Sequence, residues 1–220
     1  VRCSMSNELF TMFIIAALPL LMAITLHEAA HAYAAFKCGD ATAALAGRVS
    51  LNPLVHIDPV GTLLIPGLML LFSGGAFAFG YAKPVPVNFA RLKNPRRDMA
   101  WIAAAGPLAN LIMAIAWMFL HSQITNPPES QFADALLQMC FFGVMINLVL
   151  MILNLMPLPP LDGGRIVTSL LPMRLAIPYA RIEPYGIIIL LLLLFAEMKG
   201  YIALLGPLVD GMYSLLQTLF

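Results

Sequence analysis

TLHEAAHAYAAF, residues 25–36, closes an apolar run that starts near residue 10 and sets two imidazoles and a carboxylate inside it. A bilayer-spanning helix needs about 20 predominantly apolar residues. Four stretches of this chain qualify, at roughly 10–36, 98–120, 132–156 and 185–205. The composition agrees, with 61% hydrophobic and 10% charged residues and a mean hydropathy of +0.89, outside the range of soluble domains. An all-α polytopic membrane protein is expected, with residues 1–220 forming a single integral membrane domain. The first run outlasts a signal-peptide core and has no small-residue cleavage site, so it is expected to stay in the mature protein.

A formal net charge of +1 gives no basic field for nucleic acid. The basic residues sit instead in connecting segments: Lys37 and Arg48; Lys83, Arg91, Lys93, Arg96 and Arg97; and Arg165, Arg174 and Arg181. By the positive-inside rule these three segments face the cytoplasm. HSQITNPPESQ, residues 121–131, has no Lys or Arg and faces outward. Cys3, Cys38 and Cys140 are widely spaced and odd in number, which is neither a disulfide framework nor a CxxC pair.

The charge rule makes residues 60–82 a problem, because an apolar segment between two cytoplasmic flanks cannot cross once. Pro66 interrupts it and Gly74-Gly75 would permit reversal, so a re-entrant hairpin is preferred over a plain span. KPVPVNF, residues 83–89, alternates proline with β-branched valine, and this predicts a short membrane-associated edge strand.

In a helix, His27 and His31 project from one face one turn apart, as two ligands of a tetrahedral Zn²⁺ must. Glu28 is offset from them and can serve as the base for an attacking water. HExxH alone is a moderate signal. Inside a membrane helix it is a strong one, because a central charge costs about 2.5–3.5 kcal/mol on insertion scales. A hydrolytic zinc site takes a third protein ligand and leaves a position open. Asp162 is the best candidate, in NLMPLPPLDGGR (154–165), where three prolines break an apolar helix before two glycines. Irregular backbone at membrane depth is tolerated only where it lines a cavity or protein interior. The 10–36 and 132–156 helices both run toward the cytoplasm, so His27, His31 and Asp162 can meet at one depth.

Three motifs in order, HEAAH (27–31), AGPLAN (105–110) and NLMPLPPLDGG (154–164), resemble those of the site-2 proteases, polytopic intramembrane zinc metalloproteases, and within them the compact group without an added PDZ or CBS domain. The resemblance implies a three-helix catalytic core with a membrane-associated β or re-entrant segment and one or more additional C-terminal helices. It implies one Zn²⁺ held by His27, His31 and Asp162, with Glu28 as the catalytic base and acid. Asn154 matches the position that binds substrate backbone or steadies the oxyanion, and Asn110, matching the polar residue of the central helix, is expected to share that substrate-binding or oxyanion role. Transmembrane proteins or peptides would be the substrates, anti-sigma factors and leftover signal peptides among the candidate classes. The site would lie toward the cytoplasmic side of a bacterial inner membrane. His56 and Asp58 read as loop-fixing polar residues, since a fourth ligand would close the site. A zinc-binding membrane protein or transporter without proteolytic activity is the rival reading, but the paired broken helices of a transporter repeat are not evident.

Overall fold

Three helices carry the architecture of the computed structural model, which describes residues 2–65, 68, 80, 82–124 and 131–220. Helix α1 is Arg2–Lys37, and α2 is a single turn, Thr42–Leu45. Next come a 3₁₀ turn at Pro53–Val55, a π-helical turn at Pro59–Leu64 and a second 3₁₀ turn at Phe89–Arg91. Helix α3 is Pro95–Gln123, α4 is Gln131–Leu155 and α5 is Asp162–Leu170. Helices α6 (Met173–Ala180), α7 (Glu183–Met198) and α8 (Leu205–Leu219) complete the chain.

Ile14–Lys37, Pro95–Gln123 and Phe132–Leu155 are long and apolar enough to cross a membrane, matching the first three expected spans. Their surfaces are inverted relative to a soluble bundle. Leu18, Leu108, Ile112 and Phe119 point outward while His27, His31, Asn110, Asn147 and Asp162 are buried. Lipid can cover the apolar faces, whereas polar groups at this depth must find partners inside.

Helix α3 is central, packing against α1, α4 and α5. Toward its C-terminal half Ala114 and Met118 join Val144, Leu148, Met151 and Ile152 of α4 and Val209 and Leu216 of α8 in an apolar cluster. Gly143 of α4 lies so close to the Trp117 ring that a Cβ there would come within 2.4 Å of it.

Two expectations are corrected. Among the described residues there is no β-strand, so the fold is helical without a β element. Residues 82–88 are neither helix nor strand; the backbone at Asn88 is extended, but a strand needs a partner strand. Pro84 and Pro86 strip the donors from one edge. The backbone bonds that do hold the segment run elsewhere: Lys83 N–H donates to His56 O at 3.0 Å and Asn88 N–H to the Asp40 carboxylate at 2.6 Å. The 185–205 span is also not one helix. Helix α7 has 16 residues, about 24 Å at 1.5 Å per residue, short of the roughly 30 Å hydrocarbon core. It stops at Gly200, whose φ of +74° ends the helix. Among the described residues a fourth crossing exists only if α6 and α7, bent by 65° at their junction, are one broken span. The hairpin expected at 60–82 lies largely outside the described residues.

The segment before it is tied down by side chains. Asp58 caps the π-helical turn, accepting from the Val60 and Gly61 amides at 2.9 and 2.7 Å. His56 is buried and bonds the Ser50 carbonyl at 3.0 Å through Nε2. Both serve the loop, as expected of them.

Candidate metal centre

Helix α1 supplies His27 and His31 from one face, and their Nε2 atoms lie 3.0 Å apart. The third group arrives through the broken segment. Prolines 157, 159 and 160 end α4, and α5 then starts at Asp162, with Gly163 and Gly164 pressed onto the backbone just traversed. A Cβ on Gly163 would sit 2.2 Å from Leu155 O, and one on Gly164 2.3 Å from Pro159 N. Only glycine permits this fold-back. It brings Asp162 Oδ2 to 3.3 Å from His27 Nε2 and 3.2 Å from His31 Nε2.

The hydrogen-bond partners assign the tautomers. His31 Nδ1 lies 2.7 Å from the Ile102 carbonyl, which can only accept, so Nδ1 carries the proton. His27 Nδ1 lies 2.5 Å from Asn110 Oδ1, again an acceptor. In the neutral form of this tautomer both Nε2 atoms turn their lone pairs toward each other and toward Asp162 Oδ2, which is buried with no hydrogen-bond partner. Three buried ligand atoms converging on one point suit a bound cation. Tetrahedral Zn²⁺ with bonds of 2.0–2.1 Å has ligand edges of about 3.3–3.4 Å, close to the three separations here. Among the described residues these three form the one group able to hold a metal ion.

Gly106 of α3, inside AGPLAN, is a part of the site that sequence reasoning passed over. A Cβ there would lie 2.4 Å from His31 Nε2 and 2.6 Å from His27 Cε1. The central helix thus forms a wall of the centre with bare backbone. Asn147 was missed too, although a carboxamide in the middle of an apolar helix is itself a signal.

The remaining candidates fall differently. Glu28 is half-buried beside the ligands, and none of the described residues gives it a hydrogen-bond or ion-pair partner. Asn110 is fully buried behind His27, with its amide also donating to Asn147 Oδ1 at 2.9 Å and toward Ala23 O at 3.4 Å. Asn154 is half-buried on α4 and donates to Leu150 O at 2.9 Å, not to any of the three ligands.

Comparison with known proteins follows the same residues. The model of peptidase family M50 matches residues 15–135 and 122–196. YwhC of Bacillus subtilis (strain 168), named as a zinc metalloprotease, is 40% identical over 83% of this chain and 81% of its own length. Rip2 of Mycolicibacterium smegmatis (strain ATCC 700084 / mc(2)155), similarly named, is 30% identical over 69% of this chain and 55% of its own. Rip2 of Mycobacterium tuberculosis (strain ATCC 25618 / H37Rv) is 29% identical over 65% and 52%. No solved structure matches. With the two segments of the family model together spanning His27, His31 and Asp162, the chain belongs to peptidase family M50, the site-2 protease family of zinc-dependent metalloendopeptidases.

Proposed function

We propose that His27, His31 and Asp162 hold one Zn²⁺ per chain, that Glu28 is the catalytic base and acid, and that the protein cleaves peptide bonds in or near the transmembrane segments of other proteins. The carrying observation is the convergence of three buried ligand atoms, His27 Nε2, His31 Nε2 and Asp162 Oδ2, on one point. Zn²⁺ bound there supplies Lewis-acid chemistry, polarising a peptide carbonyl and making water a usable nucleophile near neutral pH.

The chain's own groups do the rest. Glu28 follows His27 directly, so its carboxylate is rotated about 100° around α1 from that ligand, beside the metal and not on it. It takes a proton from water as the carbon–oxygen bond forms and returns it to the amine as the carbon–nitrogen bond breaks. Half-buried, and with no hydrogen-bond or ion-pair partner among the described residues, Glu28 suits a group that must accept and release a proton. Asn154, on the helix leading to Asp162, is assigned to the substrate backbone, its Oδ1 being unused in the bond to Leu150. Asn110 is assigned to His27, since its carboxamide is engaged there and with Ala23 and Asn147.

A helical transmembrane substrate has its carbonyls in its own hydrogen-bond ladder, so it must unwind locally before cleavage. The charge pattern supports a site toward the cytoplasmic side of a bacterial inner membrane, with residues 1–220 acting as one peptidase domain. The test is metal analysis and cleavage of a transmembrane reporter by purified protein in detergent. The proposal expects one zinc per chain, activity lost to a chelator, and recovery on adding zinc. Zinc at that stoichiometry with no metal-dependent cleavage would refute it.

A further inference from the structure

We infer that Asn147 is a positioning residue that selects the metal-binding tautomer of His27 from two helices away. The inference rests on the zinc reading above. A carboxamide can face a histidine with either end: its oxygen accepts from Nδ1–H, whereas its NH₂ donates to a bare Nδ1. The first leaves the Nε2 lone pair free, and the second puts a proton on Nε2 and removes the ligand. Something must therefore fix which way Asn110 points.

A chain of bonds across α3 and α4 does so, and it ends on backbone. Asn147 Nδ2 donates to Gly143 O at 2.8 Å, and a carbonyl can only accept, so the amide of Asn147 has one orientation. Its Oδ1 then faces Asn110 and accepts from Nδ2 at 2.9 Å. That leaves Asn110 Oδ1 for His27 Nδ1 at 2.5 Å. A second carbonyl, Ala23 O, lies 3.4 Å from Asn110 Nδ2, too long to hold the amide firmly alone. Asn110 and Asn147 are both fully buried, so no solvent competes for these bonds. His31 needs no such device, because a backbone carbonyl cannot flip.

Removing the partner that orients a metal-ligating histidine costs about 10- to 100-fold in metal affinity. Asn147→Leu keeps a side chain of similar size and removes both bonds. It is expected to weaken zinc binding by that factor in a competition with a calibrated chelator, and to recover activity at saturating zinc. Asn110→Asp separates orientation from packing, because a carboxylate accepts with either oxygen and has no wrong face. Adding Asn147→Leu to Asn110→Asp is expected to change zinc affinity less than threefold. An equal loss in both backgrounds, or wild-type affinity in Asn147→Leu, overturns the proposal. Should the leucine variant fail to fold, imidazole ¹⁵N spectra of chelator-treated wild type decide it: a proton on His27 Nδ1 is expected, and one on Nε2 overturns it. Absence of zinc from wild type itself would count against the metal site and not against this relay alone.

Discussion

Helix α3 serves two interiors that differ in kind. Around Gly106 it faces α1 and α5 across buried polar groups, where each imidazole Nδ1 has an acceptor and the metal-facing atoms are left bare. Around Ala114 and Met118, two to three turns on, it faces α4 and α8 across Val, Leu, Ile and Met side chains. At the polar end a methyl group is too much, and close helix approach is set by glycine. At the apolar end glycine recurs once, at Gly143 against the Trp117 ring, but there van der Waals packing is the only requirement. Changes at the polar end should therefore fall on the metal and the chemistry, and changes at the apolar end on stability.

The largest expected effect is that of Glu28→Gln, which removes proton transfer without touching a ligand. Cleavage should fall by about 10²- to 10⁴-fold with zinc content unchanged, read by reporter cleavage and metal analysis. Next is Gly106→Ala. Forcing a methyl into a packed site costs about 1–3 kcal/mol, and here both imidazoles take up the displacement. A loss of about 10- to 100-fold in zinc affinity is expected, and wild-type affinity would mean that α3 does not press on the centre.

Leu148→Ala probes the opposite end. It should cost about 2–5 kcal/mol of stability, seen in thermal unfolding in detergent, while zinc affinity stays within threefold. A parallel loss of zinc would erase the distinction between the two interiors.

The smallest effect concerns a third region, the junction of α1 with the extended segment. Asp40 is fully buried and accepts from Thr42 and from the Asn88 amide. Burial alone would raise its pKa, but those hydrogen bonds and the Arg91 charge hold it below the usual carboxylate range. A carboxyl depressed in the folded state stabilises above its unfolded pKa of about 3.9 and loses that contribution as pH falls through the folded value. Stability in detergent should thus fall on acidification below about pH 4, and Asp40→Asn should flatten that part of the profile. An unchanged profile would show that the junction is held by other contacts.

The sequence was most legible where chemistry is local. HEAAH places two imidazoles on one helix face by spacing alone, and LDGG after three prolines marks a forced turn. The strand at 83–89 misled because alternating proline and valine specify extended backbone but not a partner, and pairing is decided by what lies alongside. The fourth expected span overran its helix because hydropathy runs on to residue 205 while Lys199-Gly200 ends the helix. Gly106 and Asn147 were hidden for another reason: their roles depend on which helix faces them.

The central claim is that His27, His31 and Asp162 together hold the catalytic metal. Its most direct test is zinc content and reporter cleavage of purified Asp162→Ala beside wild type and Glu28→Gln. The account predicts one zinc per chain in wild type and Glu28→Gln, cleavage in wild type alone, and neither zinc nor cleavage in Asp162→Ala. Full zinc occupancy in Asp162→Ala would contradict it.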